Sequence, residues 1–98
     1  MKNSGTCVVN LRTSAYDVYI GRPGKWGNPF VIGAMHQDHV LTRETCIAAF
    51  EDWLRHSDKG VALQADLGEL RGKRLGCYCK PQACHGDVLV ELIEELGV

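Results

Sequence analysis

The sequence predicts a small α/β or α+β domain: one compact unit over residues 1–98, with a small sheet and about three helices packed on it. Three observations carry that reading. A chain of 98 residues makes one domain near the low end of the usual size range. Short apolar, β-branched runs alternate with stretches of three- and four-residue apolar spacing, in the order strand, strand, helix, helix, strand, helix. No internal repeat, low-complexity tract or linker divides them. Helices then bury their apolar faces on the sheet. The strand order is not encoded in such a pattern.

Cys7 to Leu11 ("CVVNL") reads as a short buried strand, and Asp17 to Gly21 ("DVYIG") as a second. "GRPGKWGNPF" is rich in Gly and Pro and forms a loop. "FVIG" suits one more short extended segment, and "AMHQDH" is polar and irregular. Thr42 can cap a helix through its hydroxyl. Cys46, Ile47, Ala49, Phe50, Trp53 and Leu54 make the apolar stripe of that helix, which ends near His56 to Lys59, before Gly60. "VALQADLGEL" places Leu63, Leu67 and Leu70 on one face of a second helix, weakened by Gly68. "KRLGCYC" reads as a strand with Leu75, Cys77 and Cys79 on one face and Tyr78 on the other. "KPQA" turns the chain. A final helix starts at about Cys84, buries Val88, Leu89, Leu92, Ile93 and Leu96, and ends at Gly97.

Composition excludes several classes of function. The formal net charge of -1 gives no global attraction to nucleic acid or anionic membrane, though a local basic patch keeps nucleic acid open as a partner. No apolar run approaches the roughly 20 residues that span a bilayer. The start "MKNSGTCVVNL" lacks a signal-peptide core. A soluble, cytoplasmic chain with no membrane partner is expected. Five cysteines, an odd number without secretory context, argue against a disulfide framework. Reduced thiols are left for metal binding, catalysis or packing.

The chemistry concentrates in "LGCYCKPQACHGDVL". Ligands of α/β sheets gather at the carboxyl ends of strands, where Cys79 lies. Cys84, His85, Gly86 and Asp87 fall in the first turn of the next helix, where free N–H groups and the dipole favour anions and lower a thiol pKa. Three readings compete. Cys79 or Cys84 is a thiolate nucleophile, with His85 as base and Asp87 orienting it or complementing the dipole. Alternatively Cys77, Cys79, Cys84 and His85 hold zinc, although C-x-C-x4-C-H is compressed beside the usual separated pairs. Or the cysteines are small core residues. The first ranks highest and the last lowest.

The glycine-rich loop is neither a P-loop nor G-x-G-x-x-G. It still carries Arg22 and Lys25 for phosphate or carboxylate, Trp26 for stacking, and Asn28 for base-edge hydrogen bonds. A structural loop with a buried Trp and two solvated charges is an equal reading. Arg12, after the first strand, can reach a site at the strand ends. Arg43, in a first helical turn where a cation opposes the dipole, is a modest anion contact. His36 and His39 are weaker metal ligands. Cys7, Cys46 and Trp53 read as core.

"VNLR", "YIGRPGKWGNPF", "TRETCIAAFEDWL" and "LGCYCKPQACHGDVL" resemble the bacterial and phage family called domain of unknown function 4326, over nearly the whole chain. The strand, turn and Cys-His helix start are also similar to the uncharacterised family numbered 488, which has Arg where this chain has Gly86. An anion held by that arginine is therefore not implied here. Both resemblances imply a compact α/β domain with one site shared by the glycine loop and the C-H-G-D turn. The leading expectation is a nucleotide-like or phosphorylated ligand at that site, with or without catalysis. The alternative is a zinc-stabilised, non-catalytic module binding nucleic acid or protein.

Overall fold

The computed structural model describes residues 4–98. Three parallel strands form the main sheet: β1 (Cys7–Asn10) and β2 (Val18–Tyr19) lie on either side of β5 (Arg74–Cys77). The last strand is thus the central one. Its Leu75, Gly76 and Cys77 are all buried, as a central parallel strand requires. The ladder runs past the strand ends: Leu11 N donates to Cys77 O at 3.0 Å and Ile20 N to Gly76 O at 3.1 Å. The loops after all three strands therefore leave from one edge of the sheet, and that edge positions the site.

Helix α1 (Arg43–His56) begins as expected at Thr42, whose hydroxyl accepts from Thr45 N while Thr45 Oγ1 accepts from Thr42 N. Cys46, Phe50 and Leu54 are buried along it, and Ile47 and Trp53 pack at the margin of the core. Ser57 ends α1 and caps α2 (Asp58–Gln64) by accepting from Gly60 N. Gly60 does not stop a helix. It sits inside α2, where an added Cβ would lie 2.1 Å from Trp53 O, so only glycine lets α2 fold directly onto the end of α1. The expected second helix is broken after Gln64, and Leu67–Leu70 forms a separate 3₁₀ turn that buries Leu67 and Leu70. Helix α3 (His85–Leu96) starts at Cys84 and ends on Gly97, whose φ is 70°. It packs on β1 and α1. Arg55 of α1 ties the two helices together through Glu95 at 2.8 Å and Glu91 at 3.7 Å, while also pairing with Glu51.

Several expectations are corrected. "FVIG" is not a strand. The segment read as irregular holds a small hairpin, β3 (Met35–His36) and β4 (His39–Val40), turned by Gln37 and Asp38 at positive φ. Leu96, expected in the buried stripe of α3, is exposed in the last turn of the helix. Cys7 is exposed rather than core. Val8 faces Gly86 of α3, so its neighbour Cys7 points to the uncovered face of an edge strand. Among the described residues no helix is long and apolar enough to cross a membrane.

Candidate functional site

The edge where the parallel strands end opens into a pocket of about 410 Å³. One wall is the glycine-rich segment, with Tyr19, Gly21, Arg22, Asn28 and the run from Phe30 to Ile32. A second comes from α1, with Arg43, Cys46 and Ile47. The third is the turn from β5 into α3, with Cys77, Tyr78, Cys79, Ala83, Cys84 and His85. The two chemically rich segments of the sequence thus share one cavity. Its described lining holds two arginines and no carboxylate.

Three sulfurs stand at the β5–α3 wall. Cys77, Cys79 and Cys84 present their Sγ atoms within 4.8 Å of one another, an arrangement able to hold a metal ion. The Cys84 thiol donates to Cys77 Sγ at 3.0 Å and accepts from Gly86 N at 3.4 Å. Cys77 and Cys84 are buried and Cys79 is partly open. Burial, reinforced by the hydrogen bond to Cys77, pushes the Cys84 thiol well above its ordinary pKa. A helix dipole contributes about 0.3–1 kcal/mol to a charge at its end, under one pKa unit. Full desolvation is worth up to about 3–5 units in the opposite direction. On these magnitudes desolvation outweighs the dipole, so the helix start alone does not bring the Cys84 thiol below its ordinary pKa.

His85 joins the two walls. Its Nε2 lies 2.8 Å from Ile20 O and 3.0 Å from Trp26 O. Two carbonyl oxygens require Nε2 to carry the hydrogen, which leaves Nδ1 as an acceptor. That Nδ1 is 3.6 Å from Cys84 Sγ, so the Cys–His contact expected from the sequence is made. Burial lowers the His85 pKa, which keeps the ring neutral near pH 7. Of the four ligands expected for zinc, Cys77, Cys79 and Cys84 form the close group, and His85 meets it through Nδ1 at Cys84 Sγ. Asp87 does not orient His85. Its Oδ2 accepts from Cys84 N at 3.1 Å and its Oδ1 meets Lys80 Nζ at 2.6 Å, which makes it the reciprocal half of the helix cap. Gly86 explains the departure from the Cys-His-Arg start: an added Cβ would come 2.6 Å from Ile20 Cδ1 and 2.9 Å from Val8 Cγ2. No arginine fits where α3 meets the sheet so closely.

The glycine loop uses its polar groups mostly to hold itself. Trp26 is 4% exposed and belongs to the core, with Lys25 Nζ 5.1 Å from its ring centre, so the stacking face expected of it is covered. Lys25 pairs with Asp66 and Glu69, away from the pocket. Asn28 is buried; it donates to Cys46 O at 3.3 Å and accepts from Phe30 N at 2.9 Å. Arg22 does line the pocket, with Nη1 on Asn28 O at 2.8 Å. Arg12 lies over the Tyr78 ring at 5.1 Å and is not part of the lining. Arg43 is better placed than its sequence signal suggested, lining the pocket with Nη1 on Ala83 O at 3.1 Å. Tyr19, Tyr78 and Phe30 are the aromatic lining that sequence reasoning missed. Strand alternation places Tyr78 on the face opposite the cysteines, but β5 ends at Cys77 and the two-residue alternation ends with it. His36 and His39 face each other across the hairpin, ring centres 6.4 Å apart, and neither joins the sulfurs.

The family described as domain of unknown function 4326 matches residues 8–95. An uncharacterized 12.4 kDa protein in the nrdA-td intergenic region of Enterobacteria phage T4 is 40% identical over 90 residues, covering 91% of this chain and 78% of that protein. No solved structure matches.

Proposed function

The chain belongs to the family described as domain of unknown function 4326, and on that premise we propose that it binds a small phosphorylated or nucleotide-like ligand in the pocket at the strand ends. The observation that carries the reading is the lining: Arg22 and Arg43, no carboxylate among the described residues, and the rings of Tyr19, Phe30 and Tyr78. Two guanidinium groups suit a phosphate, and aromatic faces suit a flat ring. A volume of about 410 Å³ lies within the range of small-molecule sites. The groups available for chemistry are the Cys79 and Cys84 sulfurs and the acceptor Nδ1 of His85.

The test is calorimetric titration with inorganic phosphate, nucleotides and phosphorylated sugars, on the native chain and on Arg43→Ala and Arg22→Ala. Losing a charge-assisted hydrogen bond costs about 1.5–3 kcal/mol, so affinity should fall roughly tenfold or more in either variant. Binding of no phosphorylated compound, or binding indifferent to both variants, would sink the reading.

A second reading is favoured by the sulfur group: a zinc-stabilised module without catalysis, whose partner is a nucleic acid or a protein. Zinc affinity would then be part of the folding free energy. Strong chelation should lower the unfolding temperature, and full stability in chelator would remove this reading.

A further inference from the structure

We infer that Cys77, Cys79 and Cys84 form an open three-thiolate metal centre, whose fourth position faces the pocket and takes an oxygen of the bound anion or of water. The part played by the anion rests on the ligand reading above; the metal centre itself does not.

The ligand set selects the ion. Three thiolates favour a thiophilic cation such as zinc over hard, oxygen-seeking ions. The spacing fits with small adjustment. Sulfurs bonded at about 2.3 Å to a tetrahedral ion lie about 3.8 Å apart. These three already fall within 4.8 Å of one another, and the Cys77–Cys84 pair at 3.0 Å opens by less than about 1 Å. One sulfur comes from the end of β5, one from the following turn and one from the cap of α3. The outer shell is present as well: Gly86 N donates to Cys84 Sγ. On binding, three thiol protons leave to solvent, and three thiolates with a divalent cation carry one negative charge. Arg22 and Arg43 in the same cavity oppose it.

What makes the centre open is that no fourth protein donor among the described residues joins all three sulfurs. His85 holds Ile20 O and Trp26 O through Nε2, and its Nδ1, although 3.6 Å from Cys84 Sγ, is not in the sulfur group; nor is Cys46. No carboxylate among the described residues lines the cavity. Cys79 is the sulfur partly open to it. Three protein ligands and a free position are the pattern of reactive zinc sites, whereas structural sites are closed by four.

The test is an anaerobic titration of the reduced, metal-free chain with Co²⁺, with no phosphate present. One ion per chain is expected, with sulfur-to-cobalt charge-transfer absorption and the intense visible bands of a tetrahedral site. Imidazole, a probe independent of any anion site, should then shift the visible bands by entering the free position. Cys79→Ser, at the least buried sulfur, should keep the fold by circular dichroism and weaken Co²⁺ about tenfold or more. Absence of cobalt binding would overturn both the zinc reading and this inference. Tight cobalt binding with bands inert to imidazole would overturn the open centre alone. Phosphate added last tests the ligand reading by itself.

Discussion

Nε2 of His85 reaches the carbonyl oxygen of Trp26 at 3.0 Å, joining the start of the last helix to a loop 59 residues earlier. With the matching contact to Ile20 O, one imidazole N–H closes the glycine loop onto the β5–α3 turn. His85→Ala removes the donor, and it also loses the edge-on packing against Phe50, whose ring centre is 5.0 Å away. Leaving buried carbonyls unpaired costs about 1–3 kcal/mol. Urea unfolding should show a loss of that size, with faster amide exchange in residues 21–28. His85→Gln, which retains a donor, should recover part of it. Unchanged exchange in the loop would mean that the histidine does not hold it.

Gly86 sets how closely α3 approaches the sheet. Alanine there would press on Ile20, which is fully buried and has no room to swing away, and on Val8. Overpacking of this kind costs about 1–3 kcal/mol, whereas the better helix propensity of alanine returns at most about 1. Gly86→Ala should therefore lower stability in chemical denaturation. Gly60→Ala should cost at least as much, because its Cβ would meet the backbone oxygen of Trp53 rather than a side chain. A stabilised Gly86→Ala protein would show that the helix stands further from the sheet.

The helices were legible where local chemistry decides them. Thr42 caps α1, Cys84 opens α3 and Gly97 closes it, because a cap is an interaction between residues close in sequence. The shared site was legible only as two separate rich segments. Their meeting depends on β5 inserting between β1 and β2, a long-range pairing that no local pattern records. Residue roles were least legible. Trp26 and Asn28 have the chemistry of ligand contacts, yet burial commits one to the core and the other to backbone groups. Arg43 offered only a weak signal, an unfavourable charge in a first helical turn, and it turned out to line the pocket.

Acid should loosen the β2–β5 edge in a defined window. Asp17 Oδ2 accepts from Arg74 N at 2.8 Å and from Nε at 3.1 Å, and Oδ1 accepts from Nη2 at 3.0 Å. The Arg74 side chain and backbone hold the Asp17 carboxyl down at about 2, against an ordinary 3.8. A lowered folded-state pKa means that the unfolded chain binds the proton first. The contribution is therefore complete above the ordinary value and is lost as pH falls through about 2. The carboxyl carbon shift of Asp17 should titrate with a midpoint near the lowered value. A midpoint at the ordinary one would mean that the paired geometry is not kept in solution.

Thiol reactivity should follow exposure and not position on the helix. In reduced, metal-free protein, exposed Cys7 and partly open Cys79 should react first with a disulfide reagent, as mapped by mass spectrometry. Cys46 and Cys84 should lag, because burial raises both thiols above their ordinary pKa. Denaturant should bring all five cysteines to similar rates. Fastest labelling at Cys84 would reverse the balance between dipole and desolvation argued for the helix start, and would return Cys84 to the role of an activated nucleophile beside His85. Slow labelling of Cys77, Cys79 and Cys84 together, only after zinc is added, would instead trace the protection to metal ligation.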